Sequence, residues 1–515
     1  MQVRVRAWAG GSLGQYSGER YAQWLTRVLG GIPKASANTI KKNRGKLVMK
    51  AVSSFRHLSK LAVAIGALSA VPAMATNGYF THGVGTHSKA MAGAGDASPT
   101  MAIDVANNPA AGILVKESVD VGVGVFSPAR SYNTTDSLLN GNMGTFTLNT
   151  PAGGVESDND YFFIPYVASN WHLSEETSLT VAFYGRGGMN TEYNRGSATF
   201  DITGMGFPPQ TYPGTFGAGR AGVNLNQAFL ELAFSAKVSD SVTVGIAPVI
   251  AYQMFKAEGL SNFAPYTKTF VENLLSTGMP TNPADLNLTD KGHDDSMGVG
   301  LKAGVIWSIT DTFAVQAAYQ TEIDMDSFDD YSDLFAEGGD FDIPATIRVG
   351  FSWAASDRLK LHFDVEETYY SKVASVANPM TNVAGCPTAG LGGQAIDNCL
   401  GGSNGFGFGW DDVMVYQVGL EWSPQGMENV TWRAGYNYGE QPISKENAAI
   451  NILAPAVVEE HFTAGVSYDL DNDHQISVAV MYAPEKTVTG PNLFDPTQNV
   501  SLTMDQFEIE VAYTF

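Results

Sequence analysis

Four basic residues, Lys302, Arg348, Lys360 and Arg433, stand in stretches where apolar and polar residues alternate, each on the polar side. A base held inside a protein can take a carboxylate from a ligand or pair with a neighbouring acid, for which Asp364 and Glu366 are at hand. Cys386 and Cys399 share one Gly-rich stretch with no His pair nearby, so they carry no zinc signature. A local disulfide closing that stretch is the favoured reading, with two free thiols as the other. HExxH and P-loop motifs are absent and the eight His are scattered, with His82 and His87 the nearest to a pair. Neither an enzyme nor a bound metal or cofactor is therefore the expectation.

The elements that would position these bases are strands. From Gln506 to Phe515, Phe507, Ile509, Val511, Tyr513 and Phe515 share one face, and Glu508, Glu510, Ala512 and Thr514 share the other. Ten residues are what a tilted strand needs to cross a bilayer, ~9–11. The pattern recurs at about 119–130, 160–172, 177–187, 226–238, 241–254, 296–309, 312–324, 344–355, 358–370, 412–423, 428–439, 460–470, 474–483 and 505–515. The links between strands alternate. Short ones fall at Ser174–Glu176, Ser239–Asp240, Ile309–Asp311, Ser356–Asp357, Pro424–Met427 and Asp471–Asp473. Long ones fall at about 131–159, 188–225, 255–295, 325–343, 371–411, 440–459 and 484–504. Fourteen antiparallel strands in this rhythm predict an all-β transmembrane barrel with short periplasmic turns, long outer loops and both barrel ends periplasmic. Trp171, Trp307, Trp353 and Trp422 lie near the short turns, where an aromatic girdle belongs.

Export is the second expectation. Residues 49–75 hold a basic start (Lys50, Arg56, Lys60), a short apolar run from Leu61 to Val71 and the small-x-small site Ala73-Met74-Ala75, which are the parts of a signal peptide. Translation is expected to start at Met49, with residues 1–48 an upstream start-site artefact and the mature chain running from Thr76. No apolar run of ~20 residues follows, so no transmembrane helix is expected. Charged residues make only 16 %, against ~25 % in ordinary soluble domains, while Gly (55 residues) and aromatics (11 %) are plentiful. A formal net charge of −22 argues against nucleic acid as a partner, since phosphates would be repelled.

Residues 76–118 precede the first strand of the barrel (119–515) and do not alternate. They are rich in Gly, Ala and Asn, and they read as a plug folded back into the lumen rather than a periplasmic tail. Here Asn77-Gly78-Tyr79-Phe80, Gly83-Val84-Gly85-Thr86, Ser88-Lys89, Met91-Ala92-Gly93-Ala94-Gly95 and Asn108-Pro109-Ala110 resemble the N-terminal hatch of the FadL/TodX family of outer-membrane hydrocarbon transporters. The resemblance implies a fourteen-stranded barrel with a hatch. It further implies capture of ligand among outer loops, an apolar lumen pocket, and sideways exit through the barrel wall when the hatch moves.

In that frame Asn108, Pro109 and Ala110 would fix a turn of the hatch. Gly83, Gly85, Gly93 and Gly95 would give it close-packed or flexible backbone. Thr267 to Leu275 reads as a short amphipathic helix with Phe270, Val271, Leu274 and Leu275 on one side, a capture surface or simply a loop helix packing on its neighbours. A carboxylate-bearing ligand would need a base. Arg348 and Arg433 are inward candidates, and Lys256 and Lys372 lie where strands meet outer loops, regions where family members place such partners. The expected partners are a hydrophobic small molecule, foremost a long-chain fatty acid with aromatic hydrocarbon as the alternative, and the lipid around a monomeric barrel. A lipid-acting outer-membrane enzyme and a general porin are the competing classes. A porin leaves the hatch residues unexplained, and only a porin should pass sugars into liposomes.

Overall fold

The computed structural model describes residues 77–200, 208–470 and 473–515. The expected artefact at 1–48, the expected signal peptide at 49–75 and Thr76 lie outside the described residues.

Fourteen long strands form one antiparallel sheet: β1 (Ser118–Thr134), β2 (Phe162–His172), β3 (Thr177–Asn190), β4 (Gly222–Ser239), β5 (Val242–Glu258), β6 (Asp294–Thr310), β7 (Phe313–Gln320), β8 (Thr346–Ser356), β9 (Leu359–Thr368), β10 (Val413–Trp422), β11 (Val430–Gly439), β12 (Glu460–Asp469), β13 (Gln475–Asn492) and β14 (Asp495–Thr514). Each pairs with its chain neighbours. The sheet closes because β1 pairs β14 from Asp120↔Thr514 to Thr134↔Val500 and β2 from Ser118↔Asn170 to Phe126↔Phe162. Closure removes the first and last edges of the sheet, whose backbone groups lipid could not satisfy, and leaves a gap between β2 and β3.

Burial inverts what a water-soluble sheet would show. On β14 Phe507 is 48 % exposed and Ile509, Val511 and Tyr513 are also exposed, whereas Glu508 between them is 2 % exposed and Gln506 and Glu510 are buried too. Apolar side chains face outward and charged ones inward, so the barrel is built for lipid outside. Trp307, Trp353 and Trp422 are exposed close to the short turns, and Trp432 pairs directly across from Trp422. Among the described residues no helix is long and apolar enough to cross a membrane.

Two expected loops are partly sheet. Most of 484–504 is strand, because β13 and β14 run on as a hairpin that turns at Leu493-Phe494. Thr487 and Thr489, exposed, and Ser501 and Thr503, half-buried, line its outer face with polar side chains, which removes the apolar alternation that marks a lipid-facing strand. The 131–159 and 188–225 loops contribute Phe146–Asn149, Ser197–Phe200 and Gln210–Pro213 to a separate three-stranded sheet.

Residues 77–117 lie inside the cylinder, in a short helix α1 (Thr86–Ala90) and two 3-10 turns, Ala102–Ala106 and Pro109–Ile113. Their groups bond inward side chains of β4, β6 to β9, β11, β12 and β14 around the wall, as the next section describes. In the outer loops, Lys268–Thr277 forms the helix α2.

Candidate functional site

The Asn108-Pro109-Ala110 turn is seated against the wall. Asn108 caps the second 3-10 turn, its Oδ1 accepting from the Ala110 amide at 3.0 Å, while its Nδ2 donates to Gln316 Oε1 at 3.0 Å. Ser235 Oγ donates to the Pro109 carbonyl at 2.7 Å. The turn fits because two wall residues have no side chain: a Cβ at Gly304 would lie 2.0 Å from Asn108 Oδ1, and one at Gly245 would lie 2.2 Å from the Pro109 carbonyl carbon. Of the four hatch glycines singled out, Gly85, Gly93 and Gly95 take left-handed φ values and Gly83 packs against Ser88.

Three buried charge clusters tie hatch to wall. Lys89 of α1 binds Glu508 and, at 2.6 Å, Glu510 of β14. Arg348 of β8 binds hatch Asp96 at 2.7 Å and the Gly93 carbonyl at 2.8 Å, and also Glu366 of β9 at 2.7 Å. Glu366 in turn takes Arg186 of β3 at 2.5 Å. Lys302 of β6 binds Glu231 at 2.8 Å and donates to the Ala106 carbonyl at 2.7 Å. Further along the hatch, Asp364 accepts from the Gly95 amide, and Asn437 and Thr463 donate to the Ala92 and Ala90 carbonyls.

The wall is incomplete at one place. β2 and β3 pair only from Tyr166↔Tyr184 to His172↔Ser178, so Phe162 to Pro165 have no β3 partner. Pro165, the first unpaired residue, lacks the amide hydrogen a ladder needs. On the other strand Arg186 is a bulge, at the register shift between Gly185 and Gly187 against β4. The freed edge of β3 turns to the hatch: Thr81 donates to the Arg186 carbonyl and Gly188 to the Tyr79 carbonyl, both at 2.9 Å.

Beside this break lies an apolar pocket lined by Phe126, Met189, Trp410, Pro455 and Met504, with Arg130 and Asn190 as its polar members. Its cavity volume is about 10 Å³, no more than a single water needs. Beneath it the Tyr79 ring is enclosed by Phe80, Tyr370, Trp410 and Phe341 at centroid distances of 4.8, 5.1, 5.9 and 6.2 Å.

The bases expected from the sequence are not at this pocket. Arg348 is spent on the hatch, Arg433 pairs Glu421 at 2.8 Å, and Lys360 pairs the same Glu421 at 3.0 Å. Lys256 pairs Glu258 at 3.2 Å, and Lys372 is exposed in an outer loop. Arg130, which does line the pocket, was not among them. It follows Phe126 and Pro128 on the inward register of β1, and that alternation was the available signal.

The apolar side of α2 is divided: Val271 is buried, Phe270 and Leu274 are partly buried, and Leu275 is exposed. Val271 packs on Cys386 and Cys399, whose sulfurs are 2.04 Å apart. The run Gly401-Gly402-Ser403-Asn404-Gly405 fits a nucleophile-elbow pattern, but Ser403 is exposed in a loop turn, not on a strand-to-helix corner. No group of His, Cys, Asp and Glu among the described residues could hold a metal.

Fold and site together define an outer-membrane β-barrel channel stoppered by its own leading segment. Residues 67–506 match the family described as outer membrane protein transport protein (OMPP1/FadL/TodX), and the chain belongs to that family. Among solved structures, a Pseudomonas aeruginosa FadL homologue is 15 % identical with TM-score 0.57, covering 85 % of this chain and 99 % of its own. The P. putida toluene transporter TodX is 15 % identical with TM-score 0.54, covering 84 % and 98 %. The Ralstonia pickettii toluene transporter TbuX is 17 % identical with TM-score 0.52, also covering 84 % and 98 %. At these identities the likeness speaks for the fold. No curated protein matches the sequence significantly.

Proposed function

We propose that this chain is a monomeric channel for diffusive uptake of hydrophobic compounds across the outer membrane, long-chain fatty acids foremost. The observation that carries this reading is the apolar pocket set against the unpaired stretch of β2 and β3, with the hatch bonded to the freed strand edge. A lipid-like molecule gains ~0.8 kcal/mol per CH₂ moved from water into such a lining, and a gap in the wall releases it sideways without a return to water. The pocket is shut to little more than a water, so cargo passes only when the hatch or the 454–456 segment moves aside. Phe270, Leu274 and Leu275 on α2 serve as an outer capture surface in this scheme. No energy source is invoked.

A second reading has its own support. Tyr79 sits in a cage of four aromatic rings, which suits a small aromatic hydrocarbon when Tyr79 withdraws. TodX and TbuX, of the same fold, are described as toluene transporters.

The test closes the break. Pro165→Val gives the unpaired stretch of β2 an amide donor, and deletion of Arg186 removes the bulge of β3 that faces it. A variant with both changes that keeps heat-modifiable migration should lose fatty-acid uptake into cells. Uptake equal to wild type would end the sideways route.

A further inference from the structure

His82 of the hatch is fully buried and lies almost parallel to His461 of β12, with ring centroids 5.8 Å apart and planes 15° from coincident. Neither ring nitrogen of His82 makes a well-formed hydrogen bond. His461, also fully buried, meets Asn437 Oδ1 of β11 at 3.3 Å and the side chain of Gln506 of β14. His87 and His362, also buried in the lumen, stand on hydroxyls instead. His87 meets Thr100 at 2.7 Å and Ser477 at 2.9 Å, and His362 meets Ser352 at 2.7 Å.

The charges that face the stacked pair come from two elements. Glu508 Oε2 of β14 stands 3.9 Å from His82 Nδ1, and Lys89 of α1 lies between Glu508 and Glu510. With both imidazoles neutral, the set holds one cation and two carboxylates. With both protonated, it holds three cations against the same two carboxylates, and two of the three sit in stacked rings. Burial disfavours a charged imidazole, and a like charge beside it adds to the cost. Glu508 can offset one proton; the second has no carboxylate left to meet it.

What the pair would release is the piece of hatch at the break in the wall. His82 follows Thr81, whose amide donates to the Arg186 carbonyl of β3, and the Tyr79 carbonyl takes the Gly188 amide. The backbone beside the ring has little room to shift in place, since a Cβ at Gly93 would lie 2.1 Å from the His82 carbonyl oxygen.

We propose that His82 and His461 form an acid-operated latch: neutral, they stack and let residues 77–82 seat against β3; protonated, they repel each other and Lys89 and lift that segment from the break. Unseated, each ring takes a proton near the ordinary imidazole value of ~6.5. The latch is therefore shut at pH 7.5 and loosens as pH falls through that value, because the unseated state binds protons that the stacked pair excludes. The proposal rests on the reading of the hatch as the stopper of a transport route and adds the condition that moves it.

The experiment follows amide-exchange protection over residues 79–84 in the purified full chain at pH 7.5 and pH 5.5, corrected for the intrinsic rate. It compares wild type, His461→Phe, which keeps a stacked ring but takes no proton, and His461→Phe combined with His82→Gln. All are checked by heat-modifiable migration, and His461→Gln replaces His461→Phe if that ring disturbs folding. The hatch carboxyls titrate alike in all three, so the double variant is the reference. Each excluded proton is worth about tenfold over this range. Relative to the double variant, wild-type protection should fall by more than tenfold on acidification, and that of His461→Phe by tenfold at most. A ratio of wild type to double variant that stays constant, or rises, would overturn the latch. A fall of equal size in wild type and His461→Phe would overturn the pairing of the two rings. Fatty-acid uptake by cells should rise as protection falls. A hatch that loosens in acid while uptake stays level would leave the latch standing and overturn the transport reading instead.

Discussion

Asn108 occupies the space that a side chain at Gly304 would fill: a Cβ there would come within 2.0 Å of Asn108 Oδ1, and the Pro109 ring is close behind at 3.0 Å. The hatch turn and this strand position therefore answer each other. Gly304→Ala should unseat the turn as effectively as changing Asn108 itself, at a cost of ~1–3 kcal/mol, typical of overpacking. Amide exchange across 77–114 should accelerate while the barrel keeps its heat-modifiable migration. Replacing Asn108 and Pro109 should lower uptake more than it lowers expression. Exchange in Gly304→Ala equal to wild type would mean the seat is not tight.

A pH response is expected in an outer loop. Asp340 is pushed up to about 7, first by burial and then by the neighbouring Asp342. Its backbone carbonyl takes Ser375 Oγ, so this loop bears on the one that follows β9. A carboxyl with a folded pKa above its unfolded value stabilises the fold only while protonated. The contact should therefore be firmest near pH 4, weaken as pH rises to about 7, and stay level beyond. Asp342→Asn should flatten the response. Protease cleavage of 324–345 across this range checks it, and a trend of opposite sign would refute it.

The cysteine pair braces α2. Val271 packs with both cysteines and Thr267 bridges to Leu400, next to Cys399. Cross-linking a loop of this length is worth ~3 kcal/mol in the chain-entropy view. Reduction, or Cys386→Ser with Cys399→Ser, should expose α2 to proteolysis and leave the barrel strands protected. If α2 is equally protected in both forms, its position is set by Phe270 and the loop core alone.

The barrel was legible because lipid outside and polar lumen inside impose a period of two on each strand, and Leu359 to Glu366 or Phe507 to Phe515 display it plainly. The signal failed where that contrast ends. Thr487, Thr489, Ser501 and Thr503 stand above the bilayer with solvent beside them, so strand and loop look alike there. The hatch was legible as a segment, and its Asn-Pro-Ala turn as a feature. Its seats, Gly245 and Gly304, were invisible, because a wall glycine means something only once the opposing backbone is known. The partners of the lumen bases were hidden for a related reason. Inward orientation could be read from alternation, but that Arg348 meets Asp96 of the hatch, and that Arg130 bonds Asn190 at the end of β3, depended on residues far away in sequence.

The Lys89 cluster offers the sharpest energetic test of how the hatch is held. Lys89 is buried and reaches Glu508 and Glu510, which stand on consecutive inward positions of β14, and Thr86 Oγ1 donates to Glu510 at 2.7 Å. Burying two like charges is tolerable only with the ammonium between them. Lys89→Met leaves both carboxylates uncompensated, and breaking a buried pair in this way costs ~3–5 kcal/mol. The barrel strands have their own ladders, so the loss should appear in the hatch, as amide exchange over 81–95 faster by two orders of magnitude or more. Adding Glu508→Gln and Glu510→Gln to Lys89→Met should return much of the protection, because the uncompensated charge is then gone. Glu510→Gln alone should do less damage than Lys89→Met, since Glu508 remains to balance the ammonium. If the triple variant exchanges as fast as Lys89→Met, charge balance is not what anchors α1, and shape complementarity against Gly435 and Gly465 holds it instead.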